Sequence, residues 1–95
     1  MALKDILTRK DEILRLIEKH GGHDVRVFGS VAKNRATETS DVDFLVRLDP
    51  GCSLIDHVAI IQDLEDFLGY NVDVVPEDAL HPSIRQQVLS EAIPL

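Results

Sequence analysis

Asp41 and Asp43 flank Val42 at the start of the run DVDFLVRL (residues 41–48), and a third aspartate, Asp73, interrupts the apolar run YNVDVV (residues 70–75). Most other acidic residues lie on amphipathic stretches, where a solvated helix face is their ordinary role. These three lie in runs that read as β-strands. Side chains alternate along a strand, so Asp41 and Asp43 share one face with Cα atoms about 6–7 Å apart. Carboxylates held that close repel each other unless a cation or a proton stands between them. If the strand of Asp73 neighbours that of Asp43, three hard oxygen ligands converge on one point, a set suited to Mg2+ or Mn2+. Two such ions can hold both the attacking and the leaving oxygen of an in-line phosphoryl displacement. The competing reading is an acidic strand end exposed at a sheet edge, and spacing alone leaves both open.

Gly29-Ser30 tilts that balance. It follows the short alternating run Val25-Arg26-Val27-Phe28 and opens what reads as a helical turn. Unpaired N–H groups at such a turn can receive a phosphate; glycine lets the backbone approach closely, and the serine hydroxyl adds a donor. A Gly-Ser pair alone is ordinarily a turn and nothing more. Three nearby cations, Lys33, Arg35 and Arg47, could neutralise triphosphate charge, although a solvated surface position is the ordinary role of each. Arg47 shares the strand face of Asp41 and Asp43. The histidines His20, His23, His57 and His81 have no zinc-ligand spacing, and His57 reads as a surface residue on a helix. Ser40 is read as a residue that caps or orients the loop before Asp41, not as a nucleophile. Walker A and dinucleotide-binding glycine patterns are absent.

The elements that must position these groups follow from periodicity. Leu3, Ile6, Leu7, Ile13, Leu14 and Ile17 recur at helical spacing, with Thr8 and Asp11 marking a start and Gly21-Gly22 a stop. Strands are expected at 25–28, 41–48 and 70–75, the last ended by Pro76. In the second, Val42, Phe44, Val46 and Leu48 share the face opposite the aspartates. Ser53 can cap a helix running to Leu68, with Leu54, Val58, Ile61, Leu64 and Leu68 inward and Gly69 closing it. Pro82 fits the first position of a last helix carrying Ile84, Val88 and Ala92 on one face. The order helix, strand, strand, helix, strand, helix implies an α/β (α+β) fold, a small mixed sheet with helices packed on one face.

The 95 residues fit a single domain, residues 1–95. A net charge of −7 argues against general nucleic-acid binding, which needs a basic face. It permits a nucleotide ligand if metal ions separate the carboxylates from the phosphates, and it permits a basic protein partner. No apolar run reaches the roughly 20 residues that span a membrane, and the N-terminus does not read as a signal peptide. One cysteine, Cys52, cannot form an internal disulfide and fits a reducing cytoplasm.

The stretch VRVFGSVAKNRATETSDVDFLV, in which ten residues separate Gly29-Ser30 from Asp41-Val42-Asp43, resembles the nucleotidyltransferase superfamily related to DNA polymerase β. The short length and the later NVDVV are similar to its minimal nucleotidyltransferase branch. The similarity runs through the closing IRQQVLSEAIPL. It implies a nucleotidyltransferase-like fold, ATP as nucleoside triphosphate donor, and two metal ions, Mg2+ or alternatively Mn2+. It further implies that Asp41, Asp43 and Asp73 are the catalytic and metal-binding carboxylates, with Asp73 helping to activate the acceptor hydroxyl. Gly29 and Ser30 match the residues that hold the triphosphate, with Lys33 and Arg47 as further nucleotide-binding candidates. Lys33-Asn34 stands where relatives commonly have a basic residue and then glycine, and asparagine is the next-best residue for a left-handed turn.

A chain this short has no second domain to hold an acceptor, so the acceptor must arrive on another molecule. The resemblance implies a HEPN-domain toxin as that partner, with this chain acting as an antitoxin that adenylylates it. Two alternatives stand beside this: a non-catalytic antitoxin that occludes its partner, and the catalytic subunit of a two-chain transferase acting on a small molecule. Apolar surface expected around the last helix suggests an assembly, a homo-oligomer included.

Overall fold

The computed structural model describes residues Met1–Leu95. The chain opens with two short helices, α1 (Leu3–Thr8) and α2 (Lys10–Glu18), broken at Arg9. Thr8 does not cap the second helix as its sequence position suggests, because its hydroxyl donates to the Asp5 carbonyl of its own helix. Ile6, Ile13 and Ile17 are fully buried, the inward stripe that the spacing predicts. Gly21 then takes φ +87, a left-handed conformation that glycine reaches without a Cβ clash, and releases the chain into a strand.

Strand β1 (Gly22–Phe28) starts three residues earlier than alternation suggests, since a bulge at Asp24 (φ +52) interrupts its register between His23 and Arg26. A single turn, α3 (Gly29–Ala32), follows, and then a loop to β2 (Val42–Leu48). Helix α4 (Leu54–Leu68) crosses back to β3 (Val72–Pro76), a 3-10 turn (Glu77–Ala79) follows, and α5 (Pro82–Glu91) leads to a two-residue strand, β4 (Ile93–Pro94). The mixed sheet has the order β3-β2-β1-β4, with β2 parallel to β3 and antiparallel to β1. The parallel pair requires the α4 crossover, and the antiparallel pair spans the loop that brings the Gly-Ser turn beside β2. No helix is long and apolar enough to cross a membrane.

The main core joins Val27, Val42, Phe44, Val46, Val72 and Val74 of the sheet to the buried isoleucines of α1 and α2 and to Ile60, Leu64 and Leu68 of α4. Ser53 caps α4 by the expected reciprocal bonds with Asp56, and Gly69 closes it at φ +77. The inward face of α4 differs from expectation. Leu54 is 77% exposed and Val58 51%, while Ile60 is buried. At 100° per residue, Val58 lies about 120° around the helix from the middle of the Ile60–Leu64–Leu68 stripe, so apolar type alone misassigns the face.

His57 is likewise not a free surface residue. It is half-buried, with Nε2 2.7 Å from the Val74 carbonyl oxygen, while the Glu65 carboxylate accepts from the Val72 N–H at 3.1 Å. Two side chains of α4 thus satisfy backbone groups on the open edge of β3. In α5, Pro82 takes the first helical position as expected, but Ile84 is 46% exposed. Val88 and Ala92 are half-buried as expected, and Arg85 and Leu89 join them in place of Ile84, with Arg85 drawn to Glu77: its Nη1 donates to the Glu77 carbonyl and its Nη2 pairs with Oε1 at 3.0 Å. Leu45, on the sheet face opposite the main core, is also fully buried.

Candidate active site

The site begins at the end of β1. Phe28 pairs across the ladder with Asp43, and Asp43 pairs in parallel register with Asp73. Residues opposite each other in a ladder point to the same face. The two aspartates therefore stand side by side on the face away from the main core, with Asp41 just before β2 and exposed. The convergence that spacing left conditional follows from β3 lying directly beside β2.

Gly29 closes the other side of this group. A Cβ built there would lie 2.2 Å from Asp43 Oδ2, and the residue has φ +73. Both facts exclude any side chain, so the backbone of the Gly-Ser turn lies against the carboxylate. The first N–H groups of a helical turn have no intrahelical acceptor and remain available to a ligand. Ser30 is half-buried, and its carbonyl accepts from Arg35 N–H at 2.8 Å, which holds the following loop. Asn34 takes φ +58, the left-handed turn anticipated for it. Ser40 Oγ accepts from Thr37 N–H at 2.9 Å, which orients the segment just before Asp41.

Electrostatics mark Asp43 as the strained member. Partial burial, then the Asp73 carboxylate, then Asp41, push its pKa up to about 6. Like charges gathered without a counter-ion favour protonation. The three carboxylates do not close into a ready cage of metal ligands. The donor set is nonetheless all oxygen and mutually repulsive, and a glycine backbone leaves room against it. This is the chemistry a hard divalent cation relieves, so the residues fit such an ion.

The cationic candidates are placed differently. Lys33 caps the C-terminus of α3, close in sequence to Gly29 and Ser30, with Nζ 3.1 Å from Glu91 Oε2 of α5. Arg47 lies at the far end of β2, where it contacts Asp24 at 3.5 Å and Glu77 at 4.0 Å. The structure does not bring it to the aspartates: four residues of strand separate it from Asp43, about 13 Å. Arg35 holds its loop through its backbone. Sequence reasoning missed Glu91, which forms an exposed ion pair with Lys33, and Glu77, a half-buried carboxylate that gathers Arg26, Arg47 and Arg85. Neither leaves a local signal, because each contact depends on where α5 and the 3-10 turn come to rest. A polar cleft lined by Glu38, Thr39, Ser40, Tyr70 and Asn71 lies next in sequence to both Asp41 and Asp73.

Residues 10–95 match the family model of the nucleotidyltransferase domain. A Methanocaldococcus jannaschii relative, named as a candidate protein adenylyltransferase, is 40% identical over 84 residues, 88% of this chain and 90% of the relative. The protein adenylyltransferase MntA of Thermococcus cleftensis is 36% identical over 91 residues, 96% of this chain and 90% of the relative. A solved structure described as a candidate minimal nucleotidyltransferase superposes with TM-score 0.90 at 47% identity, covering 100% of this chain and 97% of that one. An MNT antitoxin structure, in complex with the tri-AMPylated HEPN toxin of Shewanella oneidensis, shares the fold: TM-score 0.70 at 20% identity, covering 93% of this chain and 69% of that one. With the paired aspartates, the glycine turn and these likenesses together, the chain belongs to the nucleotidyltransferase domain family.

Proposed function

We propose that this chain transfers AMP from ATP to a hydroxyl on a partner protein, a HEPN-domain toxin that it thereby neutralises as an antitoxin. The observation that carries this reading is Asp43 held in register with Asp73 and pressed against the Gly29 backbone. The names of the relatives supply the acceptor class: one is named a protein adenylyltransferase and another a candidate one, and a structural neighbour is bound to an AMPylated HEPN toxin.

In this reading Asp41, Asp43 and Asp73 hold Mg2+, two ions with Mn2+ as an alternative, which supply positive charge to the phosphates when bound. The backbone N–H groups of the Gly29-Ser30 turn and the Ser30 hydroxyl hold the triphosphate, and Lys33 balances its charge. The acceptor hydroxyl enters beside Asp73, the more exposed of the paired carboxylates, which takes up its proton as the oxygen bonds to the α-phosphorus. The bond from that phosphorus to the β-phosphate oxygen breaks, and pyrophosphate leaves. The cleft at Ser40 and Asn71 gives room for the acceptor segment. Residues 1–95 act as one transferase domain, and the free thiol of Cys52 agrees with work in a reducing cytoplasm.

The test is incubation of the chain with labelled ATP, Mg2+ and a HEPN-domain partner. Label should appear on the partner and disappear with Asp41→Asn. Unchanged labelling by that variant would refute the site. Toxin neutralisation by an inactive Asp43→Asn variant would favour the occluding, non-catalytic alternative.

A further inference from the structure

Glu91, the last residue of α5, brings a carboxylate to the cation that closes the Gly29-Ser30 turn. Its Oε2 is 3.1 Å from Nζ of Lys33. Two backbone features fix this approach. The Lys33 N–H donates to the Gly29 carbonyl at 3.1 Å, which anchors the root of the lysine side chain beside the turn. β4 pairs with β1 through Ile93 opposite Val27, and the same antiparallel register carried two residues on would set Glu91 opposite Gly29. The hydrogen bond from Lys33, with the charge of Arg35 adding to it, holds the Glu91 carboxyl below its ordinary range.

This pair is not what docks α5. The two side chains are 40% and 37% exposed, and an exposed ion pair contributes at most about 1 kcal/mol. The helix has other anchors. Arg85 ties its first turns to Glu77, and beyond its end the Leu95 N–H donates to the Val25 carbonyl at 2.9 Å. What the pair governs is charge at the turn. A carboxylate beside N–H groups that receive phosphate repels the phosphates, and while paired it also engages the only lysine between Gly29 and Asp43. An incoming triphosphate therefore competes with Glu91 for the same ammonium.

We propose that Glu91 is an internal counter-anion of the nucleotide site: it holds Lys33 while no nucleotide is bound and yields the ammonium to the phosphates when nucleotide enters. Only the triphosphate's place at the Gly29-Ser30 turn is taken from the function proposed above; the acceptor plays no part. Affinity for nucleotide is then set by an exchange of partners at Lys33, not by attraction to a free cation. Removing the carboxylate tightens binding. The gain is larger for a triphosphate than for a monophosphate, which has less charge to offer the lysine. Binding also frees the end of α5, because Glu91 loses its partner two residues before β4. Glu91 is thus a positioning residue whose effect on the nucleotide passes through Lys33.

The test titrates the isotope-labelled chain with a non-hydrolysable ATP analogue and, separately, with AMP, each with Mg2+, following the amide signals of Gly29 and Ser30. Glu91→Gln, exposed and nearly isosteric, leaves the helix intact. It should bind the analogue about threefold more tightly, the scale of an exposed ion pair, and AMP with a smaller gain. In a Lys33→Gln background the gain for the analogue should shrink. In the native chain the signals of Glu91 and Ala92 should move along the same binding curve as those of Gly29 and Ser30. Unchanged binding by Glu91→Gln would overturn the exchange, and so would weaker binding, which would make the carboxylate a ligand of the bound metal. A gain as large without Lys33, or as large for AMP, would mean general repulsion and would overturn it too. Static signals at Glu91 and Ala92 would do the same. If the native chain binds no analogue at all, the nucleotide site proposed above fails and the exchange with it; any of the other results sinks the exchange alone.

Discussion

A side-chain carbon at position 29 would lie 2.2 Å from Asp43 Oδ2, and Gly29 holds φ +73, so two independent constraints require glycine beside this carboxylate. Gly29→Ala must move either the turn or Asp43, and it also pays left-handed strain of about 1–2 kcal/mol. The expected result is loss of AMP transfer with a melting temperature lower by several degrees. An alanine variant that keeps full activity would show that the close approach is not used.

Asp43 also makes a prediction about pH. Its folded pKa, about 6, lies above the ordinary 3.8, because burial, Asp73 and Asp41 all disfavour its charge. The folded state therefore holds the proton more tightly than the unfolded one, and stability falls as pH rises between those values. Above pH 6 the ionised group is a standing cost. Asp43→Asn removes it, raising stability at pH 7–8 by about 1 kcal/mol after discounting for solvent screening of a partly exposed group. At pH 4 the difference should vanish. Thermal melts of both proteins across this range check the sign, and a less stable variant at pH 8 would contradict it. Mg2+ should raise the melting temperature of the native chain and not that of the variant.

Much of this was legible in the residues because the relevant physics is local. Alternation at Asp41-Val42-Asp43 placed two carboxylates on one face, Gly29-Ser30 marked the turn, and Asn34 took the left-handed conformation its position required. The strand neighbours could be stated only conditionally, because parallel pairing of β2 with β3 depends on a crossover that leaves no short-range signature. The α4 face was misread for a related reason: which apolar side chains of the helix meet the core depends on how it packs on the sheet, and Leu54 and Val58 face solvent. His57 and Glu91 were missed because their partners, Val74 and Lys33, are distant in sequence. Arg47 shares a face with Asp43 but lies too far along the strand, and sharing a face says nothing about distance.

That distance separates the two cations. Lys33 closes the turn that begins at Gly29 and pairs with Glu91, whereas Arg47 lies at the far end of β2 beside Asp24 and Glu77. Lys33→Ala should raise the KM for ATP about fivefold, corresponding to ~1 kcal/mol, with kcat less affected. Arg47→Ala should leave KM within about twofold, the scale of an exposed ion pair. Steady-state kinetics on both variants decides it, and the reverse ranking would mean that the nucleotide lies further along β2 than Gly29 and Asp43 suggest.

The last prediction concerns the open edge of β3. Val72 and Val74 point their backbone groups away from β2, and an unsatisfied edge invites pairing with another chain. Here the Glu65 carboxylate accepts from Val72 N–H, His57 Nε2 sits 2.7 Å from Val74 O, and Pro76 has no N–H to offer. His57 donates, since a carbonyl can only accept. His57→Phe keeps much of the ring volume and removes the donor, leaving the carbonyl to water or to a foreign strand. The expected cost is about 1–2 kcal/mol, with faster amide exchange along β3 and a stronger tendency to aggregate on heating. His57→Gln, which keeps a donor, should recover part of the loss. If phenylalanine melts at the native temperature with β3 exchange unchanged, the edge is held by Glu65 and packing alone, and His57 has no part in positioning the strand that carries Asp73.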